Sequence, residues 1–505
     1  MEKRAQWGSN LGFLLAAIGS AVGLGNIWRF PYVAYKNGGG AFLIPYITAL
    51  LTAGIPILML EFAIGHEKQA SAPKAFRQIG RKWEWVGWWP VFFVMFGIVM
   101  YYIVVLSWCV NYIFFSFTKA WGKDPDGFFN NTFLKISDGP WDLQGINFYV
   151  LIGVLVIWGV NWLITHSGVE KGIEKAVKMM MPVLFFITLG IVIWGVLLKG
   201  SGEGIRVYTT PDWEKVMNLD VWIAAYGQIF FSLSLGFGIM IAYSSYLPRD
   251  ANIFKNAMIV GFSNSIYEIF VGFGVFGILG YMAVGQGTGL DEVVTRSIGL
   301  AFVVFPEAIS NMPYGSFFGV IFFSLLSIAG ISSAISIIEA FTSAVIDKFE
   351  WPRKKVITVL CVLGFLGSSL FATNAGSYWL DIVDHFLNHY GLITVGILEA
   401  FVIGWIYKTS LLKNHIVSQL GLSGHKHRIF NYIVLQLWMY CIKFVTPVAL
   451  GIAIVNSLIS EFAEVYGGYS ISAVLIIGVG WLLLTHVIAF GVSGIPWKSP
   501  VEEDS

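Results

Sequence analysis

Two glycine-rich stretches interrupt apolar parts of the chain, at places where backbone polar groups can do chemistry. The first runs from Gly19 to Asn26 and the second from Ser232 to Gly238. Where a helix unwinds, its carbonyl oxygens are free to bind a cation, and the N–H groups that start the next half-helix are free to bind an anion. Because unwound backbone is too polar to face lipid, such stretches must line a cavity within the protein. The matched pair predicts a binding site, with glycine-mediated helix packing as the alternative.

The chain that carries these stretches has the composition of a membrane protein. It has 505 residues, of which 12% are charged and 56% are hydrophobic, and its mean hydropathy is +0.73. Soluble domains average about 25% charged residues, so this composition excludes a soluble enzyme, a disordered chain and a fibrous repeat. The net charge of +1 gives no field that would attract nucleic acid. We predict an all-α polytopic membrane protein with about twelve spans.

Twelve apolar runs are long enough to cross a bilayer. They lie at about residues 9–35, 40–64, 88–118, 147–166, 175–199, 220–246, 255–285, 316–346, 356–374, 380–407, 429–459 and 471–493. The two interruptions fall in the first and sixth runs, five helices apart. Because a block of five helices ends on the side of the membrane opposite to its start, consecutive blocks are inverted. We therefore predict inverted repeats at residues 1–200 and 201–410, followed by two further spans in residues 411–505.

Basic residues predict the orientation of these spans. With the N terminus in the cytoplasm, about two-thirds of the lysines and arginines fall on the cytoplasmic side, including the loops at residues 68–82 and 425–428. We therefore expect a multi-pass protein of the cell's inner (plasma) membrane with both termini cytoplasmic. The eight histidines, including His415, His425 and His427, show no spacing typical of metal ligands.

A long motif in and after the first span resembles the signature of the neurotransmitter:sodium symporter family. It consists of Asn26-Ile27-Trp28-Arg29-Phe30-Pro31-Tyr32 and then Asn37-Gly38-Gly39-Gly40-Ala41-Phe42, and it continues with Gly54-Ile55-Pro56, Glu61 and Gly65. The resemblance extends through the tenth span, and the compact termini look more like those of prokaryotic members. It implies the leucine-transporter type of fold, which is a five-plus-five inverted repeat with helices one and six unwound. It also implies a transporter rather than an enzyme.

The resemblance further implies two sodium ions as co-substrates and no other cofactor. The substrate carboxylate would complete a first sodium site, whose protein ligands are the carbonyl of Ala21 and the side chains of Asn26, Ser232 and Asn264. A second site would join span one to span eight through the carbonyls of Gly19, Val22 and Ala329 and the hydroxyls of Ser332 and Ser333. Without the family resemblance, such hydroxyls are expected to bond to their own helix.

By the same resemblance, the substrate lies between the two interruptions. Its carboxylate would meet the N–H groups of Leu24 and Gly25 near the Tyr102 hydroxyl. Its ammonium would meet the carbonyls of Ala21, Phe231 and Ser232 and the hydroxyl of Ser234. The side-chain cavity would consist of Ser20, Ile98, Phe231, Ser234, Phe237 and Ile337, and this mostly apolar lining favours a neutral hydrophobic amino acid.

Two positions in this pocket bear on the choice of substrate. Monoamine carriers of the family place an aspartate at the position of Gly23, so the glycine favours an amino acid that brings its own carboxylate. Ser20 stands where the leucine-type bacterial carrier has an asparagine, so the exact side-chain selectivity differs from that carrier.

Charged residues on either side of the pocket would act as gates. By resemblance, Arg29 and Asp384 form the outer ion pair above an aromatic lid of Tyr102 and Phe231. Arg4 and Asp347 form the inner pair. Opposite charges that pair in one state and separate in another bias a two-state equilibrium. Solvated charges at the membrane surface are the alternative explanation of the inner pair.

Glu268 is an acid within the seventh span, four residues after Asn264 and on the same helical face. An ionisable residue inside a membrane span is a functional candidate by default. Chloride-dependent members of the family carry a serine here. Glu268, with Tyr46 and Gln228 as neighbours, would supply the negative charge that chloride supplies elsewhere, and it could also carry a proton on the return step.

These features together predict a sodium-coupled symporter of neutral, hydrophobic amino acids that works by alternating access, independently of chloride and with proton antiport as an option. An amino-acid sensor or a channel on the same scaffold is the alternative. A membrane enzyme is disfavoured because no acid, base and nucleophile converge. The expected partners are the amino acid, Na⁺ and the lipid bilayer, with no nucleic acid, and the sequence defines no oligomeric state.

Overall fold

The computed structural model describes residues 4–294, 297–420, 429 and 433–503. Throughout this part of the chain the backbone forms helices and their connections, with no β-strand. The all-α membrane class predicted from the composition is therefore confirmed. The basic loop predicted at residues 425–428, which includes His425 and His427, lies outside the described residues.

Ten continuous helices in the described residues are long and apolar enough to cross a membrane. Each helix takes the number of the predicted span that it matches. Spans two to five are Gly40–Lys68, Arg81–Thr118, Phe148–His166 and Val169–Leu197. Spans seven to twelve are Ile253–Gln286, Gly315–Phe349, Arg353–Phe371, Gly376–Ile406, Leu435–Gly468 and Ile471–Gly494. Most of their ends lie within a few residues of the predicted ends.

Spans one and six are broken, at the two positions that the glycine-rich stretches predict. Span one consists of Asn10–Ala21 and Gly25–Lys36, with a bend of 53° between them. Span six consists of Leu219–Ser232 and Ile239–Ser244, separated by residues 233–238. Each half of a broken span is too short to cross a bilayer, so both halves are needed for one crossing.

Shorter helices lie in the connections between the spans. They are Ala72–Ile79, Pro125–Gly127, Phe128–Leu134, Ser201–Thr209, Trp213–Val216, Leu290–Val293, Ser297–Gly299, Leu300–Val304, Phe305–Asn311 and Thr409–Ser418.

Both ends of the chain lie at the same end of the molecule, the terminal end. Arg4 forms an ion pair with Asp347 near the end of span eight. Lys348 follows Asp347 in the chain, and its carbonyl accepts the N–H of Lys498 at 3.1 Å. Because the two ends of the chain meet there, the chain crosses the molecule an even number of times, as twelve spans require.

The break in span one follows from its local sequence. Ser9 caps the first half-helix by accepting the N–H of Gly12 at 3.0 Å. The half-helix ends at Ala21, and the φ and ψ of the next residue, Val22, are −78° and 93°, which is extended backbone. Glycine is required just after the break, because a Cβ on Gly25 would lie 2.7 Å from Cε1 of Phe231. The break therefore brings backbone rather than side chains up to span six.

The break in span six is built from left-handed backbone. Ser234, Gly236 and Gly238 have φ values of 52°, 70° and 70°. This conformation costs a residue with a Cβ about 1–2 kcal/mol, so glycine suits two of the positions and Ser234 needs compensation. The Ser234 hydroxyl donates to the Ser20 carbonyl at 3.0 Å, and the N–H of Gly236 donates to the buried carboxylate of Glu61 at 2.7 Å. These bonds hold the two breaks to each other and to span two.

The two broken spans lie in the interior of the helix bundle. Span one packs against spans five and eight, span six packs against spans two and eleven, and span eight packs against span three. Spans two and three are mostly buried, whereas most residues of spans eleven and twelve are at least partly exposed. Protein therefore surrounds the unwound backbone, which removes the cost of exposing it to lipid.

Candidate binding site between the broken spans

A cavity of about 570 Å³ lies between the two broken spans. It is lined by the two breaks and by residues of spans three, eight and ten. All the residues predicted to surround a substrate side chain line it, namely Ser20, Ile98, Phe231, Ser234, Phe237 and Ile337. Its lining also includes Lys36, which is exposed at the end of span one. The cavity therefore reaches the surface at the end of the molecule opposite the termini.

The side chains predicted for the first sodium site form one chain of hydrogen bonds beside this cavity. Oδ1 of Asn26 accepts the N–H of Gly23 at 2.8 Å, and Nδ2 of Asn26 donates to Oδ1 of Asn264 at 2.8 Å. Nδ2 of Asn264 donates in turn to Oγ of Ser232 at 2.9 Å. All three side chains are buried, and Ala21 lines the cavity next to them. The structure thus brings together the neutral oxygens of spans one, six and seven.

The residues predicted for the second sodium site meet where span one packs against span eight. Oγ of Ser332 lies 2.7 Å from the carbonyl oxygens of both Gly19 and Ala329. Oγ of Ser333 lies 3.4 Å from the Ala329 carbonyl oxygen and 3.5 Å from that of Gly19. Val22 is the first residue after the half-helix, so its carbonyl belongs to the break. Two hydroxyls and several carbonyls therefore converge without a formal charge.

The polar part of the cavity contains a residue that the sequence analysis missed. The hydroxyls of Ser20 and Ser336 share a hydrogen bond of 2.7 Å, and Ser336 lines the cavity. Ser336 is four residues after Ser332 and so lies on the same face of span eight, a spacing that would have identified it. The Ser234 hydroxyl, predicted to meet the substrate ammonium, donates instead to the Ser20 carbonyl in this structure.

The start of the second half of span one is tightly packed. The N–H of Leu24 lies 3.5 Å from Oη of Tyr102. A Cβ on Gly23 would lie 3.1 Å from Oγ of Ser333 and 3.2 Å from the same Tyr102 oxygen. Any larger residue at position 23 would therefore displace Tyr102 or Ser333.

The terminal end of the molecule is closed by a network around the predicted inner gate. Arg4 donates to Asp347 at 2.7 and 3.0 Å and to Oγ of Ser245 at 2.7 Å. The N–H of Ser71 donates to Asp347 at 2.8 Å. Burial alone would lower the pKa of the Arg4 guanidinium, but the charge of Asp347 beside it overcomes this effect and raises that pKa. The pair joins the N-terminal segment to span eight.

The opposite end of the molecule is open. The predicted outer gate residues Arg29 and Asp384 are not joined in an ion pair. The Arg29 guanidinium lies over the ring of Phe231, 4.6 Å from its centroid. Asp384 accepts hydrogen bonds from the hydroxyl of Tyr101 at 2.5 Å and from Asn388 at 2.7 Å. The outer gate residues thus have other partners in this state, in which the inner pair is closed.

Glu268 is fully buried on span seven, one helical turn from Asn264. Its carboxylate accepts hydrogen bonds from the hydroxyl of Tyr46 and, at 2.8 Å, from Nε2 of Gln228. Both residues are the neighbours that the family resemblance implies. Among the described side chains, the acid is therefore held by neutral donors close to the first predicted sodium site.

Two broken helices that enclose a cavity inside a helical bundle are typical of secondary transporters. Comparison with known proteins agrees. The sequence profile of the sodium:neurotransmitter symporter family matches residues 4–126 and 123–495. The chain belongs to this family.

Two relatives illustrate the range of the family. An uncharacterized sodium-dependent transporter of Methanocaldococcus jannaschii is 43% identical over 497 residues, which cover 98% of this chain and 98% of the relative. A sodium-dependent serotonin transporter of Drosophila melanogaster is 32% identical over 487 residues, which cover 88% of this chain and 75% of the relative. The protein is thus a sodium-dependent membrane transporter and not an enzyme.

Proposed function

We propose that this transporter carries neutral, hydrophobic amino acids together with Na⁺ by alternating access. The observation that carries this proposal is the row of hydrogen bonds from Gly23 through Asn26 and Asn264 to Ser232, which lies beside the cavity. These groups come from both broken spans and from span seven. A sodium ion held by their oxygens would lie next to the unwound backbone that receives the substrate.

Position 23 favours an amino acid over an amine without a carboxylate. Monoamine carriers of the family use an aspartate there, and the serotonin transporter of Drosophila melanogaster is a relative of this chain. Here the residue is glycine, and a Cβ at this position would lie 3.1 Å from Oγ of Ser333 and 3.2 Å from Oη of Tyr102, so a longer side chain would have to displace these groups. The substrate must then supply the carboxylate that faces the N–H groups of Leu24 and Gly25.

The walls of the cavity favour an apolar substrate side chain. Ile98, Phe237 and Ile337 line the cavity together with Phe231. The hydroxyls of Ser20 and Ser336 bond to each other, so they leave few polar groups free for a substrate side chain. A charged side chain would lose its hydration without gaining a partner in this region.

The two proposed sodium sites would have different roles. At the first site the substrate carboxylate would be a sodium ligand, so that sodium and substrate each raise the affinity of the other by the same factor. At the second site a sodium ion would join the break of span one to span eight, through Gly19, Ala329 and Ser332. Loss of this ion would free span one to move, which fits a role in opening the terminal end.

The charge distribution supports a cytoplasmic location for the terminal end. Basic residues concentrate in the connections at this end, which include residues 68–82 and 348–355. Positive charge in short loops favours the cytoplasmic side. We place the protein in the plasma membrane with both termini inside. The structure would then represent a state open to the outside, with its inner pair closed.

Glu268 is proposed to replace the chloride ion of chloride-dependent relatives. Its carboxylate is buried within one turn of Asn264 and is held by Tyr46 and Gln228. An ionised acid there would balance the positive charge of the first sodium ion. Protonation of Glu268 after the ion leaves would give proton antiport on the return step.

Binding of radiolabelled amino acids to the purified protein, with and without Na⁺, tests this proposal. Neutral hydrophobic amino acids should compete better than charged or small polar ones, and all binding should require Na⁺. Sodium-independent binding would overturn the proposal. Sodium-dependent binding without uptake into proteoliposomes would indicate a sensor, and currents not proportional to uptake would indicate a channel.

A further inference from the structure

Two histidines from distant parts of the chain meet at the terminal end, away from the cavity. His66 lies in the last turn of span two, and His415 lies in the helix Thr409–Ser418 that follows span ten. Nδ1 of His66 is 2.9 Å from Nε2 of His415. Nε2 of Gln419 is 3.2 Å from the first of these atoms and 3.0 Å from the second. Three side-chain atoms therefore form a compact triangle.

The size of this triangle fits one face of a tetrahedral metal ion. With zinc–nitrogen bonds of about 2.0–2.1 Å, two tetrahedral ligands lie about 3.3 Å apart. The edges of the triangle are slightly shorter, so small outward shifts of His415 and Gln419 would open it for an ion. Both of these residues are half-buried on a short surface helix and the turn that follows it.

Hydrogen bonding leaves a lone pair on the buried imidazole. Nε2 of His66 lies 2.7 Å from the carbonyl oxygen of Pro248. A carbonyl oxygen only accepts, so this nitrogen carries the proton. The lone pair on Nδ1 of the neutral ring is directed at Nε2 of His415, whose N–H it accepts. A bound cation would replace this proton between the two rings. A backbone carbonyl on the far nitrogen is the usual outer-shell partner of a metal-binding histidine.

Gln419 offers a third ligand. Its Oε1 is buried and has no hydrogen-bond partner among the described residues. A half-turn of the amide exchanges Oε1 and Nε2, which would place the oxygen against the two imidazoles. Carbonyl oxygens are harder ligands than imidazole nitrogens, so Gln419 would add a weaker third contact beside the two histidines.

We propose that His66, His415 and Gln419 bind a divalent transition-metal cation, of which Zn²⁺ is the best probe. Imidazole nitrogens suit Zn²⁺, Cu²⁺ and Ni²⁺ rather than Mg²⁺ or Ca²⁺. In the described residues no group of three or more His, Cys, Asp or Glu side chains converges on one point. Two imidazoles and an amide therefore form a reversible site with open positions for water, rather than a closed structural site.

The charged residues around the site determine its affinity for a metal ion. Arg249 donates to the carbonyls of His66 and Glu67 at 3.4 and 2.9 Å, and its charge, with that of Lys68, opposes a cation. Asp250 and the carboxylate of Glu67 oppose this effect. The site should therefore bind a metal ion with moderate affinity.

A bound cation would join three separate elements at the terminal end. These are the end of span two, the helix after span ten and, through the His66–Pro248 hydrogen bond, the segment that follows span six. This is the end that the Arg4–Asp347 pair closes. A metal ion would hold these elements together. This inference depends on neither the substrate nor the ion coupling proposed above.

Zinc titration of the purified protein tests the site directly. The full chain, without an affinity tag and stripped of metal by a chelator, is titrated with Zn²⁺ in competition with a fluorescent zinc indicator. We expect one Zn²⁺ per chain in the wild type. His415→Ala should weaken binding at least about tenfold, since even outer-shell partners of metal ligands contribute about 10–100-fold in affinity. His415→Leu, which keeps more of the side-chain volume and offers no ligand atom, should show the same loss.

His166→Ala is the matched control. His166 is a half-buried histidine at the terminal end whose ring packs against Trp162, with centroids 4.8 Å apart. This variant should bind Zn²⁺ like the wild type. Absorption of bound Co²⁺ should show a visible tetrahedral band in the wild type and in His166→Ala but not in the His415 variants. Equal affinity of the wild type and folded His415 variants, or absence of zinc binding by the wild type, would overturn the inference.

Discussion

Replacement of Asp347 by asparagine should open the terminal end of this transporter. Asp347 accepts two hydrogen bonds from Arg4, at 2.7 and 3.0 Å, and one from the N–H of Ser71 at 2.8 Å. The side chains of Arg4 and Asp347 are 22% and 11% exposed, so water screens their attraction only in part. The closed state therefore depends on a charge-assisted contact that one substitution weakens.

The size of the effect follows from the bonds that are lost. A hydrogen bond to a charged group contributes about 1.5–3 kcal/mol. Asparagine keeps one acceptor oxygen but has no charge, so Asp347→Asn loses at least one such contribution. A change of about 1.4 kcal/mol is a factor of ten in an equilibrium constant. The ratio of molecules open at the terminal end to molecules closed there should rise roughly 10- to 150-fold.

The assay is the alkylation rate of a cysteine placed behind the Arg4–Asp347 pair. Thr342 is fully buried on span eight, between Ser336, which lines the cavity, and Asp347. Thr342→Cys is introduced into a background in which the three native cysteines are replaced by alanine. A water-soluble maleimide should then react faster with the Asp347→Asn protein, by up to the factor calculated above.

The control variant is Asp250→Asn. Asp250 is exposed at the terminal end, after span six, so its replacement removes the same charge without breaking the Arg4 pair. Thermal midpoints in detergent, measured first, show whether each variant is folded. Equal alkylation rates of folded Asp347→Asn and Asp250→Asn proteins would refute the reasoning.

Three further predictions concern other parts of the molecule. Wild-type uptake should persist without chloride, and uptake by Glu268→Ser should rise when chloride is added, because the serine variant lacks the buried negative charge. Ser332→Ala should raise the Na⁺ concentration for half-maximal substrate binding roughly tenfold or more. The reason is that a polar group in contact with a charged one contributes about 1.5–3 kcal/mol to the free energy of binding. Gly65→Ala should lower the free energy of unfolding by about 1–3 kcal/mol, because a Cβ there would overlap the carbonyl oxygen of Ile241 on span six. Denaturation in detergent measures this change.

Each of these three predictions has a control variant or a result that would contradict it. Chloride-dependent uptake by the wild type would contradict the role of Glu268. Ser327→Ala removes a hydroxyl of span eight that bonds to Phe323 at 2.8 Å, so an equal sodium midpoint for it and Ser332→Ala would contradict the second sodium site. Gly227→Ala adds a Cβ where no atom lies within 4 Å and should be neutral or slightly stabilising. Equal stability of Gly65→Ala and Gly227→Ala would contradict the packing of spans two and six.

The spans and their breaks were predictable from the sequence because their signals are local. A run of apolar residues defines a span wherever it lies in the chain. Glycine at positions 236 and 238 marks left-handed backbone, which the structure shows at φ values of 70°. The family motif around Asn26 identified the residues that the structure brings together beside the cavity, since a long motif carries the geometry of its relatives.

Contacts between distant segments were not predictable in the same way. His415 shows no metal-ligand spacing in the sequence, because its partner His66 lies 349 residues away. Ser336 was not predicted either, because its role depends on the packing of span eight against Ser20 of span one. The contacts of the gate residues are also set by distant segments. The family resemblance predicts Arg29 as a gate residue, but the sequence does not indicate that its guanidinium packs on the ring of Phe231.

The most direct test of sodium coupling is the accumulation of a radiolabelled neutral hydrophobic amino acid in proteoliposomes with an imposed inward Na⁺ gradient. Coupling predicts that the amino acid rises above its outside concentration and that a sodium ionophore abolishes the rise. The folded Asn264→Ala protein, which lacks a predicted sodium ligand beside the cavity, should lose most of this accumulation. Equal uptake with and without the gradient would contradict sodium-coupled transport by this protein.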